Sequence, residues 1–274
     1  MKVLKLLLDF YINASIHVAF AVYSLVRITE IYFNLPYNEI LNYFIFFASI
    51  TGYNFVKYAG VAKFHHRSLT DNLKIIQVFS FFCFLGMCFY AHQLPLKMLL
   101  YFTPFGLLTI LYAIPFLSGF QKNLRAISYL KIIIVATVWA GITVLLPILD
   151  ADKIITLEVV LYSIQRFLIV VVLILPFDIR DVKYDAISLH TIPQKIGIPK
   201  TKKLGLTLML FALVIEFMIS PSIPIKNGFL VFFFIIIIFL MRSKIAQPNY
   251  YSSFWVEAIP VFWWILLLGI CDFL

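Results

Sequence analysis

Three acids, Asp178, Asp181 and Asp185, follow one another in steps of three and four within Leu-Pro-Phe-Asp-Ile-Arg-Asp-Val-Lys-Tyr-Asp. On a helix these steps put all three carboxylates on one face. Like charges gathered this way repel, so a cation belongs against them. Clustered carboxylates with room for water suit Mg²⁺, which usually bridges to substrate phosphates instead of being fully caged. Arg180 and Lys183, interleaved with the acids, add donors for phosphate oxygens. The competing reading is a solvated helix end whose acids pair with neighbouring Lys and Arg, and spacing alone does not separate the two.

The elements that must carry this cluster follow from composition. Of the 274 residues, 63% are hydrophobic and 13% charged, against roughly 45–50% and 25% in soluble domains. Lipid is therefore the solvent, and lipid-exposed backbone must satisfy its own hydrogen bonds, which leaves helices or closed barrels. Runs such as Val231 to Leu240 and Val261 to Ile270 are continuously apolar, not alternating, so helices are expected. Charged and Pro- or Gly-rich breaks divide the chain into about nine spans, near 10–33, 39–60, 73–91, 95–117, 125–147, 154–177, 203–220, 226–241 and 254–273. The expected fold is an all-α integral membrane protein forming one domain over residues 1–274. Cys83, Cys88 and Cys271 lie inside apolar runs and read as packing residues.

The formal charge of +9 does not point to nucleic acid, because the cations sit in short loops between apolar spans. With the N-terminus placed in the cytoplasm, 17 of the 22 basic residues fall in cytoplasmic loops, the side that Lys and Arg favour. The opposite loops hold Glu30, Glu39, Asp150, Asp152 and Glu158. Lys2 and Lys5 precede an apolar stretch without a small-residue cleavage site, so the first span is expected to be retained. The expected setting is a bacterial inner membrane, with the N-terminus and the aspartate segment facing the cytoplasm. Two long polar loops share that side: Tyr53 to Asn72, and Asp178 to Lys203.

Asp178-x-Arg180-Asp181-x-x-x-Asp185, followed by Thr191-Ile192-Pro193-x-x-x-Gly197, resembles the second aspartate-rich motif of the UbiA-type intramembrane prenyltransferases. The resemblance extends to nine helices, to cytoplasmic placement after the sixth span, and to Tyr112 with Lys122 and Arg125 in the loop after the fourth. It implies helices enclosing a central cavity, Mg²⁺ held by Asp178, Asp181 and Asp185, and a prenyl diphosphate at the cytoplasmic mouth. Ionisation of the diphosphate then leaves an allylic cation that a hydrophobic, lipid-soluble or aromatic acceptor attacks. Such chemistry needs charge neutralisation at the leaving group and a dry pocket for the carbocation.

The first motif of that family, Asn-Asp-x-x-Asp-x-x-x-Asp, departs here. The matching stretch, Asn54 to Ala62, retains the asparagine, with Phe55, Tyr58 and Ala62 at the aspartate positions. The loop is instead cationic, carrying Lys57, Lys63, His65, His66 and Arg67. One reading keeps the enzyme, with Lys57 and Arg67 on the diphosphate, since lysine is a point charge that can replace part of a metal's role at phosphate. The resemblance then implies a diphosphate-binding set of Asn54, Lys57, Arg67, Tyr112, Lys122, Arg125, Arg180 and Lys183. Another reading is a protein that binds or carries an isoprenoid lipid without turning it over.

Other polar groups have simpler expectations. Adjacent His65 and His66 read as surface residues. Asn13 and His17, one helical turn apart, either face the cavity or are satisfied by neighbouring helices. Arg166 and Glu216 lie inside expected spans, where charge is costly, and are expected to form a structural ion pair. A transporter is the main competing class, but its broken mid-membrane helices are not suggested by prolines that mostly mark span ends.

Overall fold

In a computed structural model the structure describes residues 2–58, 71–113, 130–183, 191–219 and 222–271. Asp185, Arg67, Lys122 and Arg125 lie outside the described residues, as do Lys63, His65 and His66. The apolar runs become α1 (Lys2–Asn13), α2 (Ile16–Tyr32), α3 (Glu39–Tyr58), α4 (Asp71–Gln93) and α5 (Leu96–Ala113). They continue as α6 (Leu130–Asp150), α7 (Leu157–Asp181), the single turn α8 (Ile192–Ile196), α9 (Ile198–Met218), α10 (Ile223–Arg242) and α11 (Ile259–Cys271). Among the described residues no strand forms. Seven segments among the described residues are long and apolar enough to cross a membrane. The other two expected spans are also helical, as α3 with 20 residues and α9 with 21, though they fall outside those seven.

Helices next in sequence are mostly neighbours in space. Contacts run from α2 to α3, α5, α6, α7, α9, α10 and α11, and α11 returns to α2, closing a ring. Only 11% of the apolar window of α4 or α5 is buried, against 61% for α2 and α7 and 67% for α6. The two exposed helices carry outward-facing Phe81, Phe82, Phe89, Leu100 and Leu107, the surface a lipid solvent favours. The core runs through Leu25, Ile45, Ile169, Val172, Phe232 and Trp263. α6 approaches α5 closely because Gly141 stands where a Cβ would lie 2.0 Å from the Phe105 ring. Gly141 also opens a π-helical turn, Gly141–Leu145, inside α6.

Three expectations change. The first span is not one continuous helix: Ser15 adopts φ 60° and breaks α1 from α2. The sixth span extends past 177 to Asp181, so Asp178 and Asp181 stand on helix instead of loop. Arg166 and Glu216 do not pair with each other. Arg166, fully buried, donates to Leu25 O (3.0 Å) and the Tyr162 hydroxyl (2.7 Å). Glu216 instead accepts from Tyr32 (2.9 Å) and Gln165 (2.7 Å). Helix rotation places each beside neutral donors or acceptors, forming one buried polar layer.

Candidate functional site

The break between α1 and α2 is satisfied from α3. A left-handed residue interrupts the intrahelical ladder and leaves carbonyls needing donors. The Lys57 ammonium reaches Asn13 O at 3.2 Å, the Tyr58 hydroxyl reaches the same oxygen at 2.9 Å, and the Asn54 amide reaches Ala14 O at 3.0 Å. Asn54 also donates to the Ser80 hydroxyl on α4, 2.7 Å away. Aspartate carboxylates accept but do not donate, so Tyr58, which stands at one of the expected acid positions, serves a structural need that a carboxylate would not. His17 joins the same region to the last helix, bonding Tyr11 (3.0 Å) and Phe254 O (2.8 Å) and stacking on the Phe254 ring.

Beside this break lies a cavity of about 420 Å³. Its wall draws Asp9, Asn13 and Ser15 from the break, Tyr53 and Lys57 from α3, Phe177 and Arg180 from α7, and Asn249, Tyr250, Ser253 and Glu257 from the approach to α11. That approach is a π-helical turn, Tyr251–Val256, which rotates successive side chains differently from an α-helix. Gln247 steadies it, donating to Pro176 O (3.1 Å) and Ser252 Oγ (2.8 Å). Tyr250 donates to Asp9 at 2.7 Å across the rim, and this bond raises its phenol pKa above the ordinary value.

Lys57 and Arg180, expected on sequence grounds to touch one ligand, thus line one cavity. The aspartates stand slightly apart. Asp178 is buried and ion-paired to Lys131 at 3.0 Å. Asp181, whose side chain is 28% exposed, takes two bonds from Arg180, at 2.7 and 3.0 Å. The Arg180 guanidinium also lies 5.3 Å from the Phe177 ring centroid. Among the described residues no three His, Cys, Asp or Glu side chains gather closely enough to hold a metal ion. Asn54 and Tyr112 are buried outside the cavity wall, and Lys183 follows the end of α7 in an exposed turn.

Glu257, Asp9 and Tyr250 were not singled out from sequence. Glu257 carried a readable sign, being an acid inside an apolar run, the mark that drew attention to Arg166 and Glu216. Asp9 and Tyr250 carried none, because their meeting depends on how α1 crosses the bundle. Gly197, with φ 79°, lets α8 turn directly into α9, a left-handed conformation that suits glycine.

No family model matches the sequence, and no curated protein matches it in sequence. Solved structures do match in shape. An apo UbiA homologue from Aeropyrum pernix K1 is 13% identical over 94% of this chain and 98% of its own, with TM-score 0.68. A UbiA homologue from Archaeoglobus fulgidus bound to DMAPP and Mg²⁺ is 13% identical over 97% and 100%, with TM-score 0.58. A structure described as giving insight into digeranylgeranylglyceryl phosphate synthase in membranes is 14% identical over 99% and 98%, also with TM-score 0.58. The helical ring, the cavity at one end of it and this overlap along nearly the whole chain establish that the protein has the fold of the UbiA homologues.

Proposed function

We propose that this chain is an intramembrane prenyltransferase that moves an isoprenoid group from a prenyl diphosphate to a hydrophobic acceptor, releasing diphosphate. The observation carrying this reading is the convergence of Lys57 and Arg180, from separate helices, on one cavity. Two cations from separate helices suit a diphosphate head, and the aromatic side chains of Tyr53, Phe177 and Tyr250 suit an allylic cation. The A. fulgidus homologue holds DMAPP with Mg²⁺ and, in another structure, GPP with Mg²⁺, which supports the substrate class. The basic loops support a cytoplasmic mouth, with the acceptor reaching the cavity from the bilayer.

The donor set suits one Mg²⁺ rather than two. Asp178 and Asp181, one helical turn apart, would hold it together with phosphate oxygens, since Mg²⁺ commonly takes one or two carboxylates plus substrate phosphates. Asp185 extends this set by sequence. Phe55 and Tyr58 offer no carboxylate for a second ion. When bound, the ion supplies positive charge against the departing diphosphate. Lys57 and Arg180 orient the diphosphate and neutralise its growing charge as the allylic C–O bond breaks and the electron pair leaves with oxygen. Arg67, Lys122 and Arg125 belong to the same proposed set on sequence grounds. The acceptor closes the new bond and gives up a proton.

Calorimetry on the purified chain tests the reading. Geranyl diphosphate is expected to bind, more tightly with Mg²⁺ than with a chelator; no binding under either condition overturns the proposal. A second reading, an isoprenoid-lipid binder without turnover, is favoured by the ion pairs that already satisfy Asp178 and Asp181. Labelled prenyl diphosphate in membranes separates the two: a labelled lipid product supports transfer, and binding without product supports the binder.

A further inference from the structure

Glu257 stands in the cavity wall, within electrostatic reach of Lys57 and Arg180. Among the described residues no hydrogen bond or ion pair engages its carboxylate, although Lys57 and Arg180 both bond elsewhere. An ionisable group inside an apolar span is costly and is ordinarily found on functional or water-filled surfaces. The charged and titratable groups around it come from three other elements: Asp9 and Tyr11 on α1, Tyr53 and Lys57 on α3, and Arg180 on α7. Tyr250 precedes it on its own approach to α11.

An acid in this place works against the ligand that the neighbouring cations attract. Inorganic diphosphate, freed of its ester, has one more ionisable oxygen than a prenyl diphosphate, so a nearby carboxylate repels the product more than the substrate. We propose that Glu257 is a specificity-determining residue that balances Lys57 and Arg180 in the empty cavity and favours release of the diphosphate product over the prenyl diphosphate substrate. This inference rests on the prenyltransferase reading and adds to it a role for the last span.

The test compares the full-length chain with Glu257→Gln by calorimetry, in buffer alkaline enough to keep a carboxyl ionised. Inorganic pyrophosphate and geranyl diphosphate are the probes, each with and without Mg²⁺. Pyrophosphate is expected to bind the variant about tenfold more tightly, and geranyl diphosphate by a smaller factor. Unchanged or weaker pyrophosphate binding overturns the proposal, as does an equal gain for both probes. Weakening confined to Mg²⁺-containing samples also overturns it, by making Glu257 a metal ligand. If the wild-type chain binds neither probe, the prenyltransferase reading falls first. Should Glu257→Gln unfold in a melting scan, Glu257→Ala replaces it, with the same outcomes.

Discussion

The ammonium of Lys57 lies 3.2 Å from the carbonyl oxygen of Asn13, joining the end of α3 to the point where α1 breaks from α2. A chain that breaks its first helix beside the cavity needs donors there, and Lys57, Tyr58 and Asn54 supply them. The same lysine lines the cavity, so one side chain serves both the helix break and the cavity wall.

Lys57→Ala is therefore expected to weaken geranyl diphosphate binding tenfold or more, because a charge-assisted contact with phosphate is lost from a partly enclosed site. Its effect on stability should be small, about 1 kcal/mol, since the bond to Asn13 is exposed and Tyr58 continues to donate there. Calorimetry and thermal melting of the same preparation separate the two effects. A variant that binds normally removes Lys57 from the site.

The two aspartates on α7 should separate in stability. Asp178→Asn leaves Lys131 without its buried counter-charge and should cost about 2–4 kcal/mol in stability. Asp181→Asn breaks a partly exposed pair with Arg180 and should cost under about 1 kcal/mol. Both substitutions should lower the Mg²⁺-dependent part of geranyl diphosphate binding, since both carboxylates belong to the proposed ion site. Equal melting temperatures for the two variants would contradict this assignment.

Arg166→Ala should be among the most damaging substitutions away from the cavity. It strips a donor from Leu25 O and from the Tyr162 hydroxyl and leaves a large void in a layer with no solvent access. A loss of about 3–5 kcal/mol is expected, read as a lower melting temperature in detergent. Ligand affinity among surviving folded molecules should be unchanged.

Gly141→Ala tests the close approach of α5 and α6. The new methyl group would meet the Phe105 ring at 2.0 Å, so the ring or one of the two helices must shift. A cost of about 1–3 kcal/mol follows from overpacking. Pairing it with Phe105→Leu should recover part of the loss, and absence of any recovery would place the cost elsewhere.

Much of this was legible before any coordinates. A membrane solvent and a helix-only fold follow from 63% hydrophobic residues in continuous runs, because lipid offers the backbone no partners. The shared face of Asp178 and Asp181 follows from their spacing once they stand on a helix, and the acidic segment with its cationic counterpart is written in the residue types themselves. These are local properties, and a helix makes local sequence into local geometry.

What only the tertiary structure decided is which helix faces met. No spacing rule says that Lys57 turns toward Asn13, that Asp178 finds Lys131 on α6, or that Arg166 and Glu216 settle in one layer without touching. Nor does any rule bring Glu257, in the last span, into one cavity wall with Lys57 and Arg180. Those pairings depend on the break at Ser15, the π-turns before α11 and within α6, and the closure of α11 onto α2, each of which rotates or displaces a face by an amount set through packing with distant residues.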